Sequence, residues 1–148
     1  MKDEKMIRKL LVMPLPQLMD KTDKMFQKRR RLEEADHQGV VRCISCGAFH
    51  HYKLCDAGHY IPRAHKGTRY EELNVWPQCK KCNKWLHGNV AKYRDGLVNK
   101  IGESGIRHLN IEKDNLPYHQ SVSWREWCIE IYLHSKKIVS GLEKRLPE

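Results

Sequence analysis

The chain has 148 residues, 40% hydrophobic and 31% charged, which predicts one compact soluble domain with helical extensions and no room for a second. Its 28 Lys and Arg against 18 Asp and Glu give a formal charge of +10, which disfavours an acidic small molecule and favours a polyanionic partner. No apolar run approaches the roughly 20 residues of a membrane span, and the opening MKDEKMIRKLLVMPLP lacks a signal-peptide core and cleavage site, so a cytoplasmic protein with no membrane partner is expected.

Pro14 and Pro16 break the chain before a stretch in which Leu18, Thr22, Met25, Phe26, Arg29 and Leu32 recur at spacings of three and four. This predicts an amphipathic helix ending near Gly39. Lys28, Arg29, Arg30 and Arg31 lie on it; four successive positions span the circumference, and the default for such a run is a solvated face. From Val40 to about Ile61 the text is short and interrupted by cysteine pairs, Gly47 and Gly58, as in a small hairpin. A helix is expected from Cys82, with Trp85 and Leu86 turned to the core, Gly88 ending or bending it, and NVAKYRDGLVNKIG starting another. Ser123 and Glu126 have capping-box spacing and open a long C-terminal helix, with Trp124, Trp127, Cys128, Ile131, Ile138, Leu142 and Leu146 in helical register. That helix is expected to pack on the body or on a second subunit.

The charge is uneven. Residues 1–42 carry 11 Lys and Arg against 7 acids, residues 43–101 carry 10 against 4, and residues 102–148 carry 7 against 7. A nucleic-acid surface is therefore expected in the first two segments. Cys43 and Cys46 form one C-x-x-C pair and Cys79 and Cys82 another, the spacing that lets paired thiolates reach one tetrahedral Zn²⁺. In a reducing compartment a disulfide framework is the poorer reading. Four thiolates leave no open coordination position, so this zinc would be structural and chemistry must come from elsewhere. Cys55 and Cys128 are expected to be small buried hydrophobes.

Inside the loop that the cysteines close lie His59 and Asn74, and Asn83 follows the last cysteine. This order resembles HNH, or ββα-metal, endonucleases, with a histidine on a hairpin strand, an asparagine in the next loop and a ligand on the following helix. More specifically, CISCG, DAGHYI, QCKKCN, GN, YRDGL and IGE in succession resemble the NinG (Rap) recombination proteins of lambdoid phages, over roughly residues 17–146 and most strongly from Cys43 to Glu103. The implied fold is α+β: a small zinc-stapled ββα-metal core at 43–101, a basic N-terminal helical extension at 1–42, and a C-terminal helical segment at 102–148 that packs on the core or a dimer partner.

The resemblance also implies a mechanism. His59 would be the general base that activates water; Asn83 would give its amide oxygen to a divalent ion, Mg²⁺ or Mn²⁺; Asn74 would hold the loop that sets the His59 ring. Many HNH enzymes carry an acidic ligand directly before the histidine, where this chain has Gly58, so Asp56 is the candidate carboxylate. Residues three apart on a strand point to opposite faces, so Asp56 and His59 could share one ion only if Gly58 permits a bulge. His87, four residues after Asn83, is a further, weaker candidate ligand if the helix persists. Arg63, Lys66, Arg69, Lys80, Lys81, Lys84, Lys92 and Arg94 are the candidate phosphate contacts. No base-reading signature is present, and the family likeness implies branched recombination intermediates such as D-loops and Holliday junctions. Paired incision of a four-way junction would need a symmetric homodimer. The competing readings are an HNH enzyme that nicks duplex DNA and a non-catalytic zinc module that binds DNA.

Overall fold

The computed structural model describes residues 2–147. Among them are five α-helices and two separate two-stranded antiparallel sheets, a mixed α+β arrangement in agreement with the class read from the sequence. The first helix, α1, Lys2–Val12, falls within the helical extension expected at 1–42, although no separate helix was drawn before Pro14. It is followed by α2, Leu15–Glu33. Pro14 and Pro16 separate the two, because proline lacks an amide hydrogen yet suits a first helical turn, where the amides have no intrahelical partner. α2 buries Leu18, Thr22, Phe26, Arg29 and Leu32, the stripe given by their spacing. It stops well before Gly39: Asp36 accepts hydrogen bonds from the amides of Gln38 and Val40 and turns the chain into the strand β1, Val40–Arg42.

The Lys28–Arg31 run is not a solvated face. Arg29 is 3% and Arg30 5% exposed. Arg30 Nε donates to the Val75 carbonyl at 2.9 Å, and its guanidinium lies 4.9 Å from the centre of the Trp76 ring. Arg29 pairs with Glu33 and Glu72, and Arg31 donates to the Tyr52 carbonyl at 2.7 Å. A guanidinium carries five donors in one plane, so several oxygen partners can satisfy it away from water where an ammonium would be left short. Arg30 fastens α2 to the strand that carries Val75, and Arg31 fastens it to the turn at Tyr52 and the strand that begins at Cys55, while Lys28 pairs with Glu143 of the C-terminal helix.

β1 pairs with β2, Phe49–His51, in the register Val40↔His51 to Arg42↔Phe49. A short 3₁₀ turn, Tyr52–Leu54, leads into β3, Cys55–His59, which pairs with β4, Val75–Cys79. The crossing between them holds α3, Lys66–Arg69, and a 3₁₀ turn at Glu72–Asn74. Beyond β4 come α4, Val90–Glu112, and α5, Trp124–Glu143. Side chains alternate across a strand, and the β3–β4 pair buries both faces. Ala57 and Val75 join Leu18, Phe26, Trp124, Cys128 and Tyr132 of α2 and α5 in one cluster. Trp76 joins Ile44, Ile61, Tyr93, Leu97, Ile106 and Leu109 in another, against α4.

α4 changes direction at Gly102, whose φ of 72° is left-handed. It also lies very close to the first cysteine loop, since a methyl group at Gly96 would sit 1.9 Å from the Ile44 carbonyl oxygen. At the start of α5, Ser123 Oγ accepts from the Glu126 amide at 3.1 Å, half of the expected capping box; the Glu126 carboxylate receives the serine hydroxyl instead of the reciprocal amide. α5 packs on α2, where Thr22 donates to the Cys128 carbonyl. Among the described residues no helix is long and apolar enough to cross a membrane.

Candidate active site and metal centre

The turn between β1 and β2 carries Cys43 and Cys46, β4 ends on Cys79, and Cys82 lies one turn further. The four sulfur atoms fall within 4.8 Å of one another, and Cys46 Sγ is 3.8 Å from Cys79 Sγ. A tetrahedral Zn²⁺ with bonds of about 2.3 Å needs sulfurs about 3.8 Å apart. Amide groups already point at them: Cys46 and Cys79 donate to Cys43 Sγ, Cys82 donates to Cys79 Sγ, and the Asn89 side chain donates to Cys82 Sγ. Burial pushes the Cys79 thiol up to about 12 and raises Cys82. At Cys43 burial is outweighed by the amides of Cys46, Cys79 and Ser45, which bring it down to about 7. A cation is what would let all four ionise together. The cluster can bind a metal such as zinc and would tie the first hairpin to the second.

Cys55 and Cys128 stand apart from it, buried. Burial pushes each thiol up to about 11, as small apolar fillers would show.

His59 is the last residue of β3. Its Nε2 lies 2.8 Å from the Arg69 carbonyl oxygen, which can only accept, so Nε2 holds the proton and Nδ1 keeps the lone pair. Burial lowers the imidazole from 6.5 to about 4 against the opposing pull of that carbonyl, so the ring is neutral at pH 7. The carbonyl is fixed in turn. Asp23, on α2, accepts from Arg69 Nε and Nη2, Arg63 Nη1 and the Tyr70 hydroxyl. Asn74 is fully buried; its oxygen accepts from the Ile61 amide at 2.8 Å and its nitrogen donates to the Ile61 and Thr68 carbonyls at 3.0 Å. It closes the β3–β4 crossing, the loop-holding part expected of it.

Asp56 and Asn83 do meet. Asn83 Nδ2 donates to Asp56 Oδ2 at 3.0 Å, and Lys80 Nζ lies 3.0 Å from Oδ1. These contacts outweigh burial and hold the Asp56 carboxyl below its ordinary range. A divalent ion would find two oxygens here, from Asp56 and from Asn83 with its amide turned over, a set suited to a hard cation that keeps most of its waters.

The expected bulge is absent. β3 runs in unbroken one-to-one register from Cys55↔Cys79 to His59↔Val75, so Asp56 and His59 project from opposite faces. Gly58 serves packing instead, because a Cβ there would lie 2.0 Å from Gln78 Oε1. Gln78 is 1% exposed and anchored through Nε2 to Ser45 and the Gly88 carbonyl. His87 is corrected as well. Lys81–Trp85 is a π-helical turn closed by Leu86 N to Lys81 O, and His87 lies past its end, exposed and left-handed at φ 50°, off the face that carries Asn83.

The basic candidates divide. Arg69 is bound to Asp23 with its side chain 14% exposed, so its guanidinium is committed inside the protein. Arg63 shares that carboxylate, Lys80 is paired with Asp56, and Arg94 with Glu103. Lys66 stands over the Trp124 ring. Lys81, Lys84 and Lys92 are exposed and have no carboxylate partner among the described residues. Trp85, expected in the core, is 81% exposed and Leu86 45%; the π turn rotates them outward. Asp23 is the residue the sequence reading missed.

The family described as Bacteriophage Lambda NinG protein matches this chain over residues 1–144. Protein ninG of Escherichia phage 933W is 33% identical over 109 residues, which is 73% of this chain and 52% of that protein. Protein ninG of Escherichia phage lambda is 32% identical over 108 residues, 72% and 50% respectively. Protein ninG of Enterobacteria phage H19B is 29% identical over 143 residues, 96% and 63%. The chain thus spans about half the length of most of the curated relatives it matches. No solved structure matches it. From the match along nearly its whole length, the chain belongs to the NinG family.

Proposed function

We propose that this protein is a zinc-stapled, metal-dependent DNA endonuclease of the HNH type, hydrolysing phosphodiesters in branched recombination intermediates. In this reading β3, β4, the π turn and α4 form the ββα unit. The observation that carries it is the locked imidazole: a neutral ring whose Nε2–H is committed to Arg69 O, with the basic Nδ1 left to take a proton. His59 withdraws a proton from the attacking water, and the negative phosphate beside it raises the low pKa of the ring toward neutrality, which strengthens the base as substrate arrives. Asn74 keeps the Arg69-bearing loop in place, and Asp56 with Asn83 would hold a divalent cation, Mg²⁺ or Mn²⁺, which would supply charge neutralisation to a bound phosphodiester. Lys81, Lys84 and Lys92 hold the DNA backbone without reading sequence.

One observation favours a second reading. With Asp56 and His59 on opposite strand faces, the His59–Arg69 bond is a structural latch, and the protein is a zinc module that binds DNA without cutting it. The experiment is cleavage of a labelled four-way junction and of a linear duplex of the same sequence by zinc-loaded protein with added Mg²⁺ or Mn²⁺. The nuclease reading requires faster cutting of the junction. Equal cutting would make it a duplex-nicking enzyme, and binding with no cutting under either ion would establish the second reading.

A further inference from the structure

We propose that Trp85 is a stacking platform for an unpaired DNA base, with Lys81, Lys84 and Lys92 holding the adjoining phosphates. This rests on the DNA-binding half of the proposed function and is independent of hydrolysis. Tryptophan is the largest apolar side chain and normally buries most of its surface. Trp76 and Trp124 do so here, at 7% and 8% exposed, while Trp85 stands 81% exposed.

The indole is presented by a rigid device. After the π turn come three consecutive left-handed residues, His87, Gly88 and Asn89, at φ 50°, 88° and 42°. That conformation is costly for histidine and asparagine and persists only where the surroundings enforce it. They do so: Gln78 Nε2 donates to the Gly88 carbonyl at 2.6 Å, the Gly88 amide donates to the Cys82 carbonyl at 2.9 Å, and Asn89 Nδ2 donates to Cys82 Sγ. The backbone that carries Trp85 is therefore anchored to the cysteine cluster at one end and to the β4 glutamine at the other. The indole's outward position is built in before any ligand arrives, which lowers the ordering cost of binding.

The surroundings select the ligand. Lys84 adjoins Trp85 in sequence and Lys81 lies one turn before it, both without an acidic partner among the described residues. A cavity of about 600 Å³ opens next to Leu86, lined among others by His50, Leu54, Lys80, Lys81 and Lys92. An aromatic face among ammonium groups matches a base with its phosphates, and stacking of this kind tolerates any base. Bases inside a duplex are already stacked on each other, so only a strand that is single or opened at a branch can offer one. A second copy of this chain is a poor occupant, because two lysine-ringed patches repel.

The test uses the full zinc-loaded chain, a fluorescein-labelled oligothymidine, and a blunt duplex of the same length, with binding read by anisotropy. Trp85→Ala is expected to weaken oligothymidine binding about tenfold, or about 1.4 kcal/mol, while duplex binding changes by less than about twofold. Trp85→Phe should retain most of the affinity, and oligothymidine should quench the intrinsic fluorescence of the wild type more than that of Trp85→Ala. Unchanged binding to oligothymidine, or an equal loss on both substrates, overturns the proposal. So does a fall in sedimentation mass from dimer to monomer in Trp85→Ala, which would assign the patch to a second copy. Because no step depends on cutting, the stacking result stands or falls even if the junction is never cleaved.

Discussion

Asn74 commits its whole side-chain amide to backbone groups of the β3–β4 crossing: one amide hydrogen and two carbonyls. Asn74→Ala leaves them buried without partners and should cost about 2–3 kcal/mol in denaturant unfolding; a variant as stable as the wild type would mean the crossing is held by something else. His59 leaves a signature in acid. Its imidazole titrates at about 4 in the fold and at 6.5 when free, so between those values the unfolded chain binds a proton that the folded chain refuses. The associated stability is complete above about pH 6.5 and falls as pH drops toward 4, by about 2 kcal/mol between 7.5 and 5. His59→Gln should lose less over the same interval, and identical pH dependence in the two proteins would refute the buried neutral ring. The four cysteines were legible in the sequence because C-x-x-C spacing follows from ligand geometry, whereas His59 and Asn74 were singled out by the family resemblance. Asp23 was neither. A carboxylate on a charged helix reads as solvated, and its partners Arg63, Arg69 and Tyr70 are brought to it only by the tertiary fold.

At the scale of elements, the periodic helices were the readable part. The stripe on α2 and the Ser123 cap of α5 follow from residues within one or two turns of each other. What failed depended on distant partners. Arg29 and Arg30 are buried because Glu72, Val75 and Trp76 come from the crossing and β4 to meet them. Trp85 and His87 were misplaced because an α-helix was assumed from Cys82, whereas the cluster and Gln78 impose a π turn and a left-handed exit. The seat of α4 on the first cysteine loop offers a direct check. Gly96→Ala sets a methyl group against the Ile44 backbone carbonyl, which cannot rotate aside as a side chain would. A loss of about 1–3 kcal/mol is expected from the overpacking. If zinc content falls with stability, α4 and the metal cage are one cooperative unit; a fully stable Gly96→Ala would show that the contact is relaxed in solution.

For the molecule as a whole, a formal charge of +10 does not mean that every cation faces DNA. Arg29, Arg30 and Arg69 are consumed internally, while Lys81, Lys84 and Lys92, near the second cysteine pair, are some of the exposed ammoniums without a carboxylate partner among the described residues. A metal held by the four cysteines would anchor that region to the first hairpin, so its loss should be felt globally. Cys79→Ala or prolonged chelation is expected to remove the zinc and unfold the centre, because the binding energy of a structural zinc is largely folding energy; a soluble, fully folded Cys79→Ala protein would contradict this. The most direct measurement of the central claim is junction cleavage by His59→Ala beside the wild type, at equal zinc content and equal junction affinity. Cutting lost at least about a hundredfold, with binding retained, is the result expected if His59 is the base. Undiminished cutting by His59→Ala would place the chemistry on other residues and leave the His59–Arg69 bond as a structural latch.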